Sequence, residues 1–212
     1  MDNIITVKNV DLTIGKTEIL KNINAEFERG KIHGIIGRNG SGKTMLMKCI
    51  CGFVKPMGEV TVDGKRIGKD CDFPENVGII IEVPNFIGYY SGFKNLKLLA
   101  DLNKKITAEQ VRQAMKTVGL DPDLKRHVRK YSLGMRQRLG LAQAIMEDPE
   151  LLILDEPMNG LDKDGVADMR QYLLDLKAKG KTILIASHSA EDIDILCDTV
   201  CEMDKGRLEQ IR

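Results

Sequence analysis

The pattern of apolar and polar residues predicts an α/β fold. Short apolar runs without alternation indicate strands buried on both faces, as in parallel sheets. Helical patterns separate these runs, so we expect a mostly parallel central sheet with helices packed against it. The predicted buried strands cover residues 32–36, 78–81, 151–154 and 182–186.

The first thirty residues have a different pattern. Short apolar or alternating runs at 4–7, 12–14 and 24–28 are separated by Gly15 and by the turn at residues 29–30. Runs of this length between turn residues predict short strands.

A long helical stretch, at about 93–146, separates the second and third buried strands. Within it, Thr107 and Gln110 have the spacing of a capping box, and a last helix over 133–147 stops before Pro149. Further helices are predicted at 164–179 and 190–196. Since no linker is rich in Pro, Gly or Ser, we expect residues 1–212 to form one domain that contains this helical insertion.

Composition indicates a globular protein that stays out of the bilayer. The chain has 212 residues, of which 42% are hydrophobic and 30% are charged, which excludes a disordered chain. The longest aliphatic run, at 151–154, is far shorter than the roughly 18 apolar residues of a membrane span. The chain begins Met1-Asp2-Asn3 without a basic and apolar leader, so we expect a cytoplasmic protein that reaches a membrane only through a partner.

The five cysteines do not form a metal or redox pattern. Their number is odd, and no pair has the two-residue gap of a zinc knuckle or a redox motif. We therefore expect reduced thiols in the core.

The net charge of +1 gives no general reason to bind nucleic acid. One local exception is the basic stretch at 125–130, which reads Lys-Arg-His-Val-Arg-Lys. A solvated basic face is the ordinary interpretation. A contact with phosphate head groups or with an acidic loop of a partner is the alternative.

A glycine-rich turn between a buried strand and a helix predicts a phosphate-binding loop. It consists of Gly37, Arg38, Asn39, Gly40, Ser41, Gly42, Lys43 and Thr44, and Met45 follows it. Glycines let successive N–H groups face phosphate oxygens, and the helix adds its positive end. Lys43 supplies a positive charge for the β- and γ-phosphates, and the Thr44 hydroxyl is a ligand for Mg²⁺. A glycine turn without a ligand is the alternative.

Two carboxylates end the buried strand at 151–154. In a parallel sheet, this end of the strand faces the ligand crevice. Asp155 is then suited to hold Mg²⁺, and Glu156 to polarise the water that attacks a γ-phosphate. Without the phosphate loop, a helix cap or an exposed turn would be the better explanation of the pair.

Three further segments narrow the family. The segment Tyr-Ser-Leu-Gly-Met, with Ser132, Leu133, Gly134 and Met135, precedes the acidic strand end; Asn-Gly-Leu-Asp, ending at Asp162, follows it; and Ser-His, with His188, comes last. Together with the phosphate loop, these motifs resemble the ATP-binding domain of ATP-binding cassette (ABC) transporters. The first segment is similar to the signature loop of that family, the second to its dimer-contact loop, and the third to its switch histidine.

The resemblance implies a P-loop NTPase fold: a mostly parallel central sheet, an N-terminal antiparallel β subdomain and an α-helical subdomain inserted at about 85–147. It also implies binding and hydrolysis of ATP with Mg²⁺ in a head-to-tail pair of identical or different ATPase subunits. Ser132 of one copy then faces the nucleotide of the other, and His188 contacts the γ-phosphate. Integral membrane permease subunits complete the complex, so the chain is expected at the cytoplasmic face of the cell membrane and away from nucleic acid.

Five positions depart from the usual family pattern. In the signature loop, Ser132 and Gly134 match, whereas Leu133 and Met135 depart. Ile14 stands where an aromatic residue often stacks on adenine, and Met45 where a second hydroxyl often contacts the α-phosphate. Glu82 replaces the usual glutamine after the second buried strand. It remains a candidate ligand for Mg²⁺ but adds negative charge near Glu156. With Glu82, the segment Tyr-Ser-Leu-Gly-Met and a short length, the chain most resembles family members that export peptides, bacteriocins or drugs through separate membrane subunits.

Two other functions remain as alternatives. A soluble ABC-type ATPase of DNA repair or translation would share most of these motifs, but it usually carries long coiled coils or a second cassette. A P-loop kinase would need neither Ser132 nor His188.

Overall fold

A computed structural model gives the fold, and it describes residues 2–82 and 84–212. The strands are β1 (Asn3–Ile14), β2 (Thr17–Glu28), β3 (Ile32–Ile36), β4 (Met57–Val62), β5 (Lys65–Arg66), β6 (Val77–Ile80), β7 (Leu151–Asp155), β8 (Thr182–Ala186), β9 (Thr199–Asp204) and β10 (Arg207–Gln210). The helices are α1 (Lys43–Ile50), α2 (Gly92–Asn103), α3 (Ala108–Thr117), α4 (Leu133–Ile145), α5 (Lys163–Ala178) and α6 (Ala190–Leu196), with a 3₁₀ turn at Val128–Lys130.

A six-stranded sheet forms the centre, in the order β10-β9-β3-β8-β7-β6. Its strands are parallel from β9 to β6, and only β10 pairs antiparallel. Every residue of β7 and β8 is buried, as the unbroken apolar runs predicted. The predicted α/β class with a mostly parallel sheet is therefore confirmed.

The register of this sheet aligns the strand ends that matter for function. Ile35 pairs with Ala186, and Ala186 pairs with Asp155 across three neighbouring strands. One row further back, Ile80 of β6 pairs with Leu154. The segments that leave these four strands therefore emerge side by side, at one edge of the sheet.

The N-terminal sheet is antiparallel, in the order β2-β1-β4-β5, as the family resemblance implied. Its first two strands have twelve residues each, longer than the sequence predicted. Bulges interrupt their pairing, and Asn9 and Asn22 both have a φ of +48°. Because each bulge shifts the alternation by one residue, a continuous strand looks like short runs in the sequence.

The helices α2, α3 and α4 lie between β6 and β7 and form a core with the sheet. The capping box at Thr107 and Gln110 is confirmed at the start of α3. At the sheet, α4 approaches β6 very closely. A Cβ atom added to Gly78 would lie 2.1 Å from the backbone oxygen of Ala144, so only glycine fits there.

All five cysteines are free thiols. Burial raises the pKa of Cys49, Cys51 and Cys197 to about 12 and that of Cys201 to about 11, so these thiols stay protonated at neutral pH. Within residues 2–82 and 84–212, no helix has the length and apolar character to cross a membrane.

The close approach of α4 to β6 gives a stability prediction. We expect Gly78→Ala to lower the free energy of unfolding by about 1–3 kcal/mol, the usual penalty of overpacking a tight core. Gly88→Ala is the matched control, because its new Cβ would meet the Arg129 side chain at 3.4 Å, an ordinary contact distance. Denaturant unfolding of both variants measures the difference, and equal stability of the two would contradict the packing described here.

Candidate functional site

The glycine-rich turn joins β3 to α1, and its backbone needs glycine. Gly37, Gly40 and Gly42 all have positive φ values, of 144°, 78° and 120°. A Cβ atom on Gly37 would also lie 2.2 Å from the backbone oxygen of Met203. The chain therefore turns sharply into α1, as the sequence predicted.

The N-terminus of α1 is open to an anion. Its cap residue, Gly42, offers no side-chain hydrogen bond, and the first helical turn contains no acidic residue. The free N–H groups and the positive end of the helix dipole therefore both favour a phosphate here.

Two buried side chains of the turn support this. Lys43 is almost fully buried, and its Nζ donates to the backbone oxygens of Gly37 (2.7 Å) and Arg38 (3.2 Å). The Ser41 hydroxyl is buried and has no hydrogen-bond partner among the described residues. A phosphate oxygen would suit both groups, because the Lys43 ammonium donates only to neutral carbonyl oxygens and the Ser41 hydroxyl has no partner among the described residues.

Thr44 and Asp155 meet at the predicted metal position. The Thr44 hydroxyl donates to Oδ2 of Asp155 at 2.6 Å, and Asp155 is buried at the end of β7. Hard cations such as Mg²⁺ prefer oxygen ligands of this kind. These two oxygens therefore fit the predicted ion.

The Glu82 carboxylate, a candidate ligand for Mg²⁺ from the sequence, contacts a lysine in the structure. Its Oε1 lies 2.7 Å from Nζ of Lys48; the Glu82 side chain is largely exposed, whereas that of Lys48 is mostly covered. Lys48 is one helical turn after Thr44 on α1, so the carboxylate is held along the side of the helix. Among the described residues, no hydrogen bond joins Glu82 to Thr44 or Asp155.

Glu156 and His188 form the second centre of the site. Nδ1 of His188 and Oε2 of Glu156 are 2.7 Å apart; with the proton on Nδ1, the imidazole donates to the carboxylate. The Glu156 side chain is 20% exposed and that of His188 is 64% exposed. Glu156 also has a φ of +50°, a conformation that is uncommon for a glutamate and that concentrates at functional sites.

A polar network that the sequence did not reveal supports His188. The Arg170 guanidinium donates to Oδ1 of Asp192 at 2.5 and 2.8 Å, and the Ser187 hydroxyl donates to Oδ2 at 3.3 Å. These bonds tie α5 and α6 to the loop that carries His188. No local sequence signal marks the pair, since 22 residues separate Arg170 from Asp192.

One cavity of about 310 Å³ collects most of the predicted nucleotide-binding residues. It is lined by Ile19, Asn39, Gly40, Ser41, Gly42, Lys43, Thr44, Met45, Asp155 and Glu156. Ile14, the residue expected beside the base, is half-exposed and does not line it; Ile19 does.

The signature residues lie outside this cavity. Ser132 caps α4, and its Oγ accepts from the backbone N–H of Met135 at 3.1 Å. Leu133 is about half-exposed, and a Cβ on Gly134 would lie 2.7 Å from the backbone oxygen of Gly160. The start of α4 therefore packs directly on the turn that follows Glu156.

Asp162 has a structural role within the chain. Its Oδ1 accepts from the backbone N–H of Gly165 at 3.0 Å and caps α5, and Nη2 of Arg138 lies 3.9 Å away. Asp162 is exposed, so this cap leaves the residue accessible for a contact with a second subunit.

Comparisons with known proteins match this geometry. The family model described as ABC transporter matches residues 20–159, more than half of the chain. The ABC transporter ATP-binding protein YybJ of Bacillus subtilis (strain 168) is 45% identical over 206 residues, which cover 97% of this chain and 94% of YybJ. The bacitracin transport ATP-binding protein BcrA of Enterococcus faecalis is 39% identical, over 98% of this chain and 68% of BcrA.

A solved structure shows the same fold. The ATP-binding cassette MJ0796, a dimer bound to ADP and Pi, has a TM-score of 0.86 over 98% of this chain and 99% of its own, at 22% identity. Fold, family model and relatives therefore agree, and the chain belongs to the ABC transporter family, as one of its ATP-binding, ATP-hydrolysing subunits.

Proposed function

We propose that this chain powers the export of a peptide, a bacteriocin or a drug through separate permease subunits. The observation that supports ATP hydrolysis as the source of this power is the Glu156–His188 contact of 2.7 Å, together with the Thr44–Asp155 hydrogen bond. BcrA, named for bacitracin transport, supports the substrate class.

ATP is the substrate that suits the cavity. Its phosphates would occupy the turn before α1, where the Ser41 hydroxyl and the free N–H groups provide donors. Nζ of Lys43 would exchange its two backbone carbonyl acceptors for phosphate oxygens, which are stronger acceptors because they are charged. The apolar wall at Ile19 offers contact to the base without an aromatic ring.

Hydrolysis requires a base beside the γ-phosphate. Thr44 and Asp155 would hold Mg²⁺, which supplies positive charge against the developing negative charge on the phosphates. Glu156 follows Asp155 directly and would accept a proton from the attacking water. His188 holds the Glu156 carboxylate in position, and the Arg170–Asp192 network holds the His188 loop.

The geometry of one chain leaves Ser132 without a nucleotide to contact. Ser132 and its neighbours do not line the cavity of the phosphate loop. The start of α4, which Ser132 caps and whose first turn contains no acidic residue, is suited to an anion. A head-to-tail pair of copies would bring this helix end to the γ-phosphate held by the other copy. ATP would then favour the closed pair, and loss of phosphate would release it.

A groove between the central sheet and the helices is our candidate for contact with the permease. It has a volume of about 700 Å³, and Phe53, Phe73, Pro84 and Leu99 are among the residues that line it. Phe53 and Phe73 are exposed and lie 6.1 Å apart between ring centroids. A cytoplasmic segment of the permease that inserts an apolar side chain here would place this chain at the cytoplasmic face of the membrane.

The role of Glu156 leads to a first functional prediction. We expect Glu156→Gln to lower the hydrolysis rate by about 10²–10⁴-fold, the usual contribution of a positioned base, and to retain ATP in a stable dimer. Phosphate release and sedimentation velocity with ATP measure the two effects. Glu202→Gln, an exposed glutamate on β9, is the control. Unchanged turnover of Glu156→Gln would remove Glu156 from the reaction.

The Lys48–Glu82 pair leads to a second prediction. We expect Glu82→Gln to leave ATP binding intact and to raise or alter turnover, because it removes the carboxylate that pairs with Lys48, one helical turn after Thr44. Stability should change by less than about 1 kcal/mol, since the carboxylate that is removed is largely exposed to solvent. Turnover measured for Glu82→Gln, Lys48→Gln and the double variant tests this. If all three match the parent protein, Glu82 is only a solvated loop residue.

A further inference from the structure

Two segments of the chain contain no acidic residue. Residues 83–100 and 124–146 together hold eight of the 32 Lys and Arg residues and none of the 31 Asp and Glu residues. The remainder of the chain therefore has a net charge of −7, although the whole chain is nearly neutral. Positive charge is concentrated in a small part of the sequence.

The fold brings these two segments together. The backbone N–H of Val128 donates to the oxygen of Tyr90, and that of Arg129 donates to the oxygen of Gly88, both at 2.9 Å. The Tyr131 hydroxyl accepts from the N–H of Gly92 at 3.3 Å. We call the surface that results the basic-aromatic face; it consists of Tyr89, Tyr90, Lys94, Lys125, Arg126, Arg129 and Lys130.

The cations of this face are not neutralised within the chain. All five are exposed, and none forms an ion pair with a carboxylate among the described residues. The neighbouring acidic residues are engaged elsewhere: Asp123 pairs with Arg112, and Asp121 accepts from the N–H of Asp123. The positive charge therefore faces solvent.

Aromatic rings lie among these charges. The Tyr89 side chain is 64% exposed and contacts the Tyr90 ring edge-on at 4.8 Å between centroids. Nζ of Lys94 lies 3.9 Å from the centre of the Tyr90 ring. The face thus combines an amphipathic ring that projects into solvent with several flanking cations.

We propose that the basic-aromatic face binds the anionic lipid surface of the membrane. Lys and Arg near an anionic leaflet each gain about 1 kcal/mol, and tyrosine favours the depth of the head groups. Five cations then predict a molar partition coefficient on the order of 10³–10⁴, enough to orient a protein that a permease already holds.

The chemistry of the other partners fits less well. Cytoplasmic loops of membrane proteins carry an excess of Lys and Arg, and a basic face repels such loops. Single-stranded nucleic acid binds through successive bases stacked on several aromatic rings, whereas Tyr89 is the one strongly exposed ring of this face. Binding to an anionic leaflet requires only a high density of positive charge, which the basic-aromatic face has.

Vesicle cosedimentation of the purified full chain tests the proposal. At low ionic strength we expect binding to vesicles of equal parts phosphatidylglycerol and phosphatidylcholine, and none to phosphatidylcholine alone. The variant with Lys125, Arg126, Arg129 and Lys130 changed to Gln should lower the partition coefficient by about 10²–10³-fold. Tyr89→Ala should weaken binding without a change in charge. Excess inorganic phosphate at constant ionic strength should not displace the protein.

A matched variant distinguishes the effect of the basic-aromatic face on vesicle binding from the effect of net charge. Lys8, Lys16, Lys69 and Lys179 are exposed elsewhere on the chain and have no carboxylate partner among the described residues; changing all four to Gln removes the same charge and should preserve most of the binding. Equal loss in the two quadruple variants would overturn the proposal. So would binding to an RNA or DNA oligonucleotide but not to vesicles. ATP turnover in solution should be the same for all variants, so a failure here is distinct from a failure of the proposed ATPase.

Discussion

The site depends on one constraint, the register of β3, β8 and β7. Ile35, Ala186 and Asp155 lie in one row of this parallel sheet, so the segments that follow them leave at the same edge. The first becomes the phosphate loop, the second carries His188, and the third carries Glu156. Thr44 spans the intervening β8 to donate to Asp155, which joins the loop of one strand to the end of another. A slip by one residue in any of these strands would move its buried side chains to the opposite face of the sheet.

The other candidate residues lie in two places on the chain: Glu156 in the phosphate cavity, and Ser132 at the start of α4. Glu156 belongs to the phosphate cavity, but the turn that follows it, at Gly160, packs against the first turn of α4. Because Gly134 has no side chain, the first turn of α4, which Ser132 caps, lies in close contact with this turn. In a head-to-tail pair, Ser132 would serve the nucleotide of the other copy.

The sequence predicted the buried strands of the central sheet well, because a strand covered on both faces is an unbroken apolar run. It did not predict β4, β9 or β10. Those strands have exposed positions and lack such runs. The capping box at Thr107 was predictable since it is local, whereas the Arg170–Asp192 pair joins two helices and leaves no local pattern.

The positions of the phosphate loop, Asp155 and Glu156 were predictable because the loop and Glu156 directly follow buried strands and Asp155 ends one. The orientation of a single side chain was not. Glu82 follows β6 as expected, but its carboxylate contacts Lys48 rather than Thr44. The orientation of Glu82 depends on Lys48, which lies 34 residues earlier in the sequence and meets Glu82 only in the folded chain. Ile19, rather than the expected Ile14, lines the cavity wall; a turn at residues 15–16 separates the two residues.

We propose that ATP lies between the phosphate loop of one copy and Ser132 of another. A crystal structure of the ATP-loaded protein, with hydrolysis blocked by Glu156→Gln, would test this arrangement. We expect the Ser132 hydroxyl to donate to the γ-phosphate bound by the facing copy, at roughly 2.5–3.0 Å between oxygens. An ATP-loaded assembly in which every Ser132 is remote from every nucleotide would contradict it.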